Sequence, residues 1–581
     1  MRGLCAVVLY CFLASLSTAG AVGARSLEPA PLARGPYPVA CSDVAYDADR
    51  VRQIGGTPAD FWEGKPQQGQ PRYFTDILLE AQDTLQAKPV VPNDSAFYVQ
   101  TSGRQLNFVV LVCYPTSADN NRPDYPLAES AAVPKMQRAG QKPIFPPPLP
   151  VPLVPGQDNG NLLPLVVFSH GLGGSPLSSY GMDMISRLAS FGYVVAAPFH
   201  GDARFSLIEV SNIGDLIAVA NNFDQFVEMQ ALRPLSLKAT VDAVLANGDF
   251  AARINTNMIG GFGASMGGAS MTWLLGASVT DGFFSHHAHA TVRDPRLKAA
   301  VTYVPYAGES FLPAFGEDNV TASSVMVPYL AICGTADVLA PMYRVEQAIS
   351  LLPNSHYLVT LSGVSHGYDS MYAGDVFGWA IPFINAYVKG DANALAGFTQ
   401  QKDILGGLDD RLTIDYTAPA AASGMVVEFY NTGLDHYFIT ADASEAAGID
   451  QGSAGPGWSR TGYSFKSGGS TPACRFYGSQ SPGPNSHFYT VDPGECDYLR
   501  QLQAITPSSQ KRWNFESLNF ASSPANNGAC SNGTVPVFRA YNNGYARGVD
   551  SNHRLTSSAT ALQGVVARGW INEGVVMCAP N

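Results

Sequence analysis

Charge is scarce in this chain: Asp, Glu, Lys and Arg make up 14% of its 581 residues, and the formal balance is −12 at pH 7. No cluster of Lys and Arg is dense enough to neutralise a run of phosphates, which argues against a nucleic-acid partner. Also missing is any stretch of about 20 uninterrupted apolar residues, so no transmembrane span is expected. No cysteine pair has zinc-finger spacing. His286-His287-Ala288-His289 is rich in imidazole, yet no carboxylate or cysteine partner pattern accompanies it, and no metal and no cofactor is expected.

Apolar material, by contrast, is ample. Hydrophobic residues make up 46% of the chain, enough for large cores and for two or more domains. Residues 1–24 combine one early arginine, an apolar run over 4–16 and the small residues Ala19-Gly20-Ala21 and Val22-Gly23-Ala24. That is the pattern of a cleavable secretory signal, which predicts a secreted protein, or a periplasmic one if the source is bacterial. Of nine cysteines, Cys5 and Cys11 leave with the signal and an odd number remains. Disulfides are expected in an exported chain: two among Cys474, Cys496, Cys530 and Cys578, and one joining Cys41 to Cys113. Cys333, inside the apolar run Tyr329-Leu330-Ala331-Ile332-Cys333, reads as a buried free thiol.

Along the chain, strand-like runs over 163–169, 193–197, 258–262, 299–304, 329–333 and 356–361 alternate with helix-length segments over 178–191, 235–247, 266–275, 342–351 and 376–388. This predicts an α/β domain over 25–416, a mostly parallel sheet flanked by helices, with a Val- and Phe-rich antiparallel strand over 106–113 leading into it. A Pro-rich insertion at about 143–157 is expected to be extended, polyproline-like chain forming a stiff surface loop. Segments 205–230 and 277–297 are long enough to form a rim or lid. A small-residue linker over 417–425 then leads to a smaller, β-rich domain over 426–581. There Phe429-Tyr430-Asn431 with His436-Tyr437-Phe438, Phe476-Tyr477-Gly478 with His487-Phe488-Tyr489, and Ala540-Tyr541-Asn542 with His553-Arg554-Leu555 recur in fixed order, each followed by a tryptophan, Trp458, Trp513 or Trp570. Three copies of one supersecondary unit are expected, with the histidines His436, His487 and His553 at matching, structural places.

Chemistry is concentrated in Gly263-Ala264-Ser265-Met266-Gly267, directly after a strand-like run. A serine attacks a carbonyl well when it projects from a tight strand-to-helix turn, and the residues two before and two after must then be nearly free of side chain. A Gly-rich turn without chemistry carries the same letters, so the company of the serine decides. Hydrolysis needs a base for the serine proton and an acid to orient that base. Asp337 follows the strand ending at Cys333, and His366 lies on the loop Gly363-Val364-Ser365-His366-Gly367. Asp369 is the alternative acid. The oxyanion needs two backbone donors, one from Met266 and one from an earlier Gly-rich loop. Ser169-His170-Gly171-Leu172-Gly173-Gly174 is that loop, with Gly171 and Gly173 for close approach, Leu172 as donor and His170 as a brace.

Phe168-Ser169-His170-Gly171-Leu172-Gly173-Gly174, Phe191-Gly192-Tyr193-Val194-Val195-Ala196-Ala197, Arg233-Pro234 ahead of a helix, Gly263-Ala264-Ser265-Met266-Gly267-Gly268, Asp337 and His366 together resemble the secreted platelet-activating-factor acetylhydrolase family of the α/β-hydrolases, over roughly 95–390. The resemblance implies Ser265 as nucleophile, Asp337 as orienter, His366 as base, and a metal-free esterase acting on short acyl chains of lipids. Phe199-His200-Gly201-Asp202 and the Pro-rich insertion depart from the family pattern. A cutinase-like polyesterase, a general lipase and the same residues acting on a peptide bond are alternatives. From a different class comes a surface- or substrate-binding protein carried by the C-terminal repeats, which resemble a domain of unknown function appended to exported bacterial hydrolases. That domain is expected to bind insoluble substrate or a cell surface.

Overall fold

The computed structural model describes residues 30–44, 84–125, 133–138, 140–147, 162–206, 222–309, 311–417, 424–469, 471–478 and 483–581. The expected signal segment over 1–24, most of the expected Pro-rich insertion and most of the expected linker lie outside the described residues, as do 207–221 of the first candidate lid segment.

An eleven-stranded mixed sheet forms the larger region. Its strands are β1 (Val39–Ser42), β2 (Gln86–Ala87), β3 (Phe108–Pro115), β4 (Lys135–Gln137), β5 (Leu163–Ser169), β6 (Val194–Pro198), β7 (Ile254–Ala264), β8 (Leu297–Tyr303), β9 (Tyr329–Gly334), β10 (His356–Leu361) and β11 (Asp410–Tyr416). They run in the order β11-β10-β9-β8-β7-β5-β6-β3-β1-β4, with β2 on β3. From β6 through β10 every pairing is parallel, whereas β3 meets β6 and β1 antiparallel and β11 closes the far edge antiparallel. The expected change from antiparallel to parallel is thus present. Strands β5, β6, β9 and β10 are buried along their whole length, which is why they read as continuous apolar runs: helices cover both faces. One face packs against α1 (Ser179–Ser190) and α5 (Ala373–Tyr387), the other against α2 (Phe223–Ala246), α3 (Met266–Leu274) and α4 (Met342–Ile349).

Two expectations need correction. Helix α2 begins at Phe223, not after Pro234, and runs through that proline. A proline inside a helix costs on the order of 3 kcal/mol, and here burial of Phe223, Phe226, Val227, Leu232 and Leu235 offsets it. Of the Pro-rich stretch, Phe145 is no free surface loop residue: its ring packs on Tyr114 at 4.9 Å, with the Arg253 guanidinium 4.9 Å from its centroid. In the second candidate rim or lid segment, Ser278–Thr280 and Ala288–Ala290 pair as a small antiparallel ribbon.

The C-terminal region is β-rich. It comprises β12 (Gly424–Asn431), β13 (His436–Thr440), α6 (Ala443–Asp450), β14 (Trp458–Ser467), β15 (Thr471–Gly478), β16 (Ser486–Thr490), α7 (Pro493–Ile505), β17 (Asn514–Pro524), β18 (Thr534–Tyr541), β19 (His553–Thr556), α8 (Ala559–Val566) and β20 (Ile571–Pro580). The sheet orders are β13-β12-β14 and β16-β15-β17-β20-β18-β19. Strand, strand, helix, strand therefore occurs three times in succession, each time with the first strand between the other two, and the third segment adds a one-turn helix, Gly544–Arg547, between its first two strands. Val426, Phe438, Tyr489, Phe520, Leu555 and Met577 share one core drawn from all three segments.

The histidines do not match as expected. His487 faces Tyr477 and His553 faces Tyr541 across their hairpins, but the residue facing the corresponding Tyr430 is Tyr437, and His436 faces Asn431. The first hairpin has one more residue between its histidine and its closing threonine than the other two, which moves His436 one place along the strand.

Disulfides join Cys41 to Cys113, Cys474 to Cys496 and Cys530 to Cys578, and Cys333 is buried and unpaired. These bridges fit an oxidising compartment. Among the described residues no helix is long and apolar enough to cross a membrane.

Candidate functional site

Strand β7 passes into helix α3 through Ser265, whose φ of 56° and ψ of −123° are costly for a residue with a side chain. The turn is held from below, because Ser265 N–H donates to Tyr303 O (2.9 Å) and Ser265 O accepts from the N–H of Tyr306 (3.0 Å). Close packing dictates the glycines. A Cβ on Gly263 would lie 2.2 Å from Gly267 O, and one on Gly267 would lie 2.0 Å from Ser169 O. Helix α3 can therefore approach β5 and the loop beyond it only with no side chain at these positions.

Three groups expected from the sequence come together. Ser265 Oγ lies 2.8 Å from His366 Nε2, and His366 Nδ1 lies 2.8 Å from Asp337 Oδ2. The carboxylate can only accept, so Nδ1 carries the proton and Nε2 is the nitrogen that accepts from the serine hydroxyl. The other oxygen, Asp337 Oδ1, accepts from the N–H groups of Leu339 (2.9 Å) and Ala340 (2.8 Å), which fixes the carboxylate plane. Asp369, the alternative acid, is turned elsewhere: its Oδ1 accepts from Met371 N–H (2.8 Å) and caps a short helical turn.

The loops carrying Asp337 and His366 are tied to each other. Thr335 N–H donates to Leu361 O (3.0 Å), Ala336 N–H to Val364 O (2.9 Å) and Gly363 N–H to Thr335 Oγ1 (2.9 Å). Gly334 permits this approach, since a Cβ there would stand 2.2 Å from Val364 O. Tyr303 and Tyr372 both donate their hydroxyls to Gly367 O (2.8 Å each), bracing the far side of His366. The sequence reading missed the roles of Gly334, Tyr303 and Tyr372; a glycine closing a strand three residues before the acid was the available signal. Beside this loop lies a groove of about 480 Å³ lined by Ser365, Gly367, Tyr368, Met371, Tyr372 and Leu408.

The Gly-rich loop after β5 lies beside the serine, with a Cβ on Gly171 coming 3.4 Å from that of Ser265. Gly173 has φ +65°. Neither the Leu172 nor the Met266 N–H donates to a protein acceptor among the described residues. Under the loop lies a buried polar network. Arg233 on α2 donates twice to Asp202, Nε to Oδ1 at 2.9 Å and Nη2 to Oδ2 at 2.6 Å. It also donates to His170 O (2.8 Å) and Gly171 O (3.0 Å). His200 Nε2 meets Ser169 Oγ at 2.8 Å and its Nδ1 meets Ser236 Oγ at 2.8 Å.

His170 Nε2 accepts from the His200 N–H (3.2 Å), so its Nδ1 is the protonated nitrogen and donates to Gly171 O (2.8 Å). Burial, with Arg233 adding to it, pushes the His170 pKa down to about 4, and burial holds His200 well below the ordinary histidine range. Both rings are neutral braces near pH 7. For Asp202, burial works against the charge, but Arg233 overrides it and keeps the carboxyl below its usual range.

The His286–His289 run is engaged elsewhere, His286 with Phe311 O (2.9 Å) and His289 stacked on Phe97 at 3.7 Å. Among the described residues no group of three or more His, Cys, Asp or Glu is placed to hold a metal.

Two family models match parts of the chain. The model for platelet-activating factor acetylhydrolase, isoform II, matches residues 152–212. Its described part holds β5, the Gly-rich loop, α1, β6 and Asp202, and it stops short of Ser265. That partial match supports a relationship to lipid and ester hydrolases. A domain of unknown function, DUF5648, matches residues 410–504. No curated protein matches the chain.

Proposed function

We propose that this chain is a secreted serine carboxylic-ester hydrolase that works through an acyl-enzyme, on an α/β-hydrolase fold. The observation that carries the reading is the continuous hydrogen-bonded chain from Ser265 through His366 to Asp337, with the serine on a strand-to-helix turn. In this reading Ser265 Oγ attacks the ester carbonyl as its proton passes to His366 Nε2, and the buried Asp337 carboxylate stabilises the imidazolium. The N–H groups of Leu172 and Met266 receive the oxyanion, Met266 at the positive end of helix α3. His366 then protonates the leaving alcohol and next activates the water that releases the acid.

Lipid-type esters with short acyl chains are the proposed substrates. The sequence resemblance and the partial family match support this. The disulfides support export. The thrice-occurring strand-strand-helix-strand segment supports a three-unit accessory domain over 426–581, which we assign to holding insoluble substrate or a cell surface.

Ser265→Ala is expected to abolish p-nitrophenyl butyrate hydrolysis and labelling by a phosphonate probe; full activity in that variant would overturn the proposal. Turnover of acetyl phospholipids, triglycerides and polyester film by the unaltered protein separates the proposed substrate class from lipase and polyesterase activity.

A further inference from the structure

The Gly171–Leu172 peptide has two ends with opposite surroundings. Its carbonyl, Gly171 O, points inward and accepts from His170 Nδ1 (2.8 Å), Arg233 Nη2 (3.0 Å) and Gly174 N–H (3.2 Å). Its N–H, that of Leu172, has no protein acceptor among the described residues. A peptide group is planar and trans, so anchoring the carbonyl on one side fixes the direction in which the N–H leaves on the other. Donors on a carbonyl also polarise its own peptide and strengthen that peptide's N–H as a donor.

Arg233 and Asp202 are 1% and 6% exposed, and their two-pronged pairing leaves the guanidinium no freedom to turn. Arg233 holds the preceding carbonyl, His170 O, at 2.8 Å, and Asp202 Oδ2 holds the following Gly173 N–H at 2.9 Å. Backbone groups on both sides of Leu172 are therefore bound to one ion pair. The same guanidinium reaches Ser270 Oγ at 3.3 Å, and that hydroxyl donates to Met266 O at 2.8 Å, which ties the first turn of α3 to the loop.

We infer that Arg233 and Asp202 are positioning residues for the oxyanion site, aiming and polarising the Leu172 N–H through the Gly171–Leu172 peptide. The inference rests on the proposed esterase reading, and its test is chosen to fail separately from it. Removing one oxyanion donor outright costs about 10²–10³ in kcat. Arg233→Gln leaves the donor present but loosely held, so kcat is expected to fall by about 10- to 100-fold with KM within about twofold.

The deciding readout is the rate of an ester relative to its thionoester, in which sulfur replaces the carbonyl oxygen. Sulfur accepts hydrogen bonds poorly, so the preference for oxygen reports how well the oxyanion is held. Arg233→Gln and the isosteric Asp202→Asn are both expected to reduce that preference. Asp337→Asn, which impairs the base alone, is expected to lower kcat with the preference intact.

A preference unchanged in both variants would overturn the inference even if kcat drops, because a purely structural ion pair predicts that outcome. Asp202→Asn decides the matter if Arg233→Gln does not fold. Loss of activity in Ser265→Ala beside an unchanged preference would leave the esterase reading standing and the positioning role refuted, whereas full activity in Ser265→Ala would refute the esterase reading itself.

Discussion

Ser265 and the two buried histidines behind the Gly-rich loop show how much of this site depends on single groups held in costly states. The serine keeps a positive φ, and His170 and His200 are held neutral in a buried network. The histidines make the larger region sensitive to acid. In the unfolded chain each takes a proton near pH 6.5, but His170 does so only at about 4 in the fold and His200 well below the usual range. Between those limits the unfolded state binds more protons, so stability is complete above pH 6.5 and falls as pH drops toward 4. The slope is about 1.4 kcal/mol per pH unit for each histidine. Urea midpoints measured from pH 7 to pH 4.5 are expected to decline accordingly, and His200→Gln to flatten the decline; a constant midpoint would rule this out.

At the scale of elements, the site is the meeting of a turn with three loops, and glycines set the spacing. Gly267 lets α3 touch the end of β5, and Gly334 lets the loop after β9 touch the one after β10. Both neighbours are backbone carbonyls, which cannot rotate away as a flexible side chain could. Gly267→Ala is therefore expected to displace Ser265 from the Gly-rich loop and reduce turnover by at least about 100-fold, since displacements near 1 Å at such sites cost that much. Gly248→Ala, where a Cβ meets nothing within 4 Å, is the matched control and should retain activity. Helix α2 shows the opposite relation between sequence and element: burial of its apolar face carries it through Pro234, and Arg233 reaches the loop from inside a helix rather than from its entrance.

At the scale of the whole molecule, the C-terminal segments join each other through corresponding positions. Arg475 of the second lies over Phe438 of the first at 5.7 Å, and Arg539 of the third over Phe488 of the second at 4.9 Å. Between third and first, the residue types are exchanged. Glu428 occupies the register place of Arg475 and Arg539, Arg554 that of Phe438 and Phe488, and the two form a buried ion pair at 2.7 Å. The region also rests on the larger one, with Arg293 Nη1 donating to Pro493 O (3.1 Å) and Met326 packed near Cys474 and Phe476. Glu428→Gln strands the Arg554 charge and is expected to destabilise the C-terminal region by about 3–5 kcal/mol. Calorimetry should show its transition fall, while ester turnover stays unchanged at temperatures where both regions are folded; an unshifted transition would contradict the pair's importance.

The sequence by itself determined the alternation of strands and helices, because parallel strands buried on both faces must be continuously apolar. It also determined Ser265, Asp337 and His366 as candidates, because the chemistry demands those types in that order, and it supplied the cysteines that pair. Only the tertiary structure decided that Asp337 rather than Asp369 meets His366, since both acids lie close to it in the chain or the sheet and a loop-to-loop hydrogen bond chooses between them. It alone showed that Gly334, Tyr303 and Tyr372 support the histidine and that Arg233 joins Asp202 beneath the Gly-rich loop. Those contacts link residues far apart in the chain, and distance along a sequence carries no record of which buried charge will find which carbonyl.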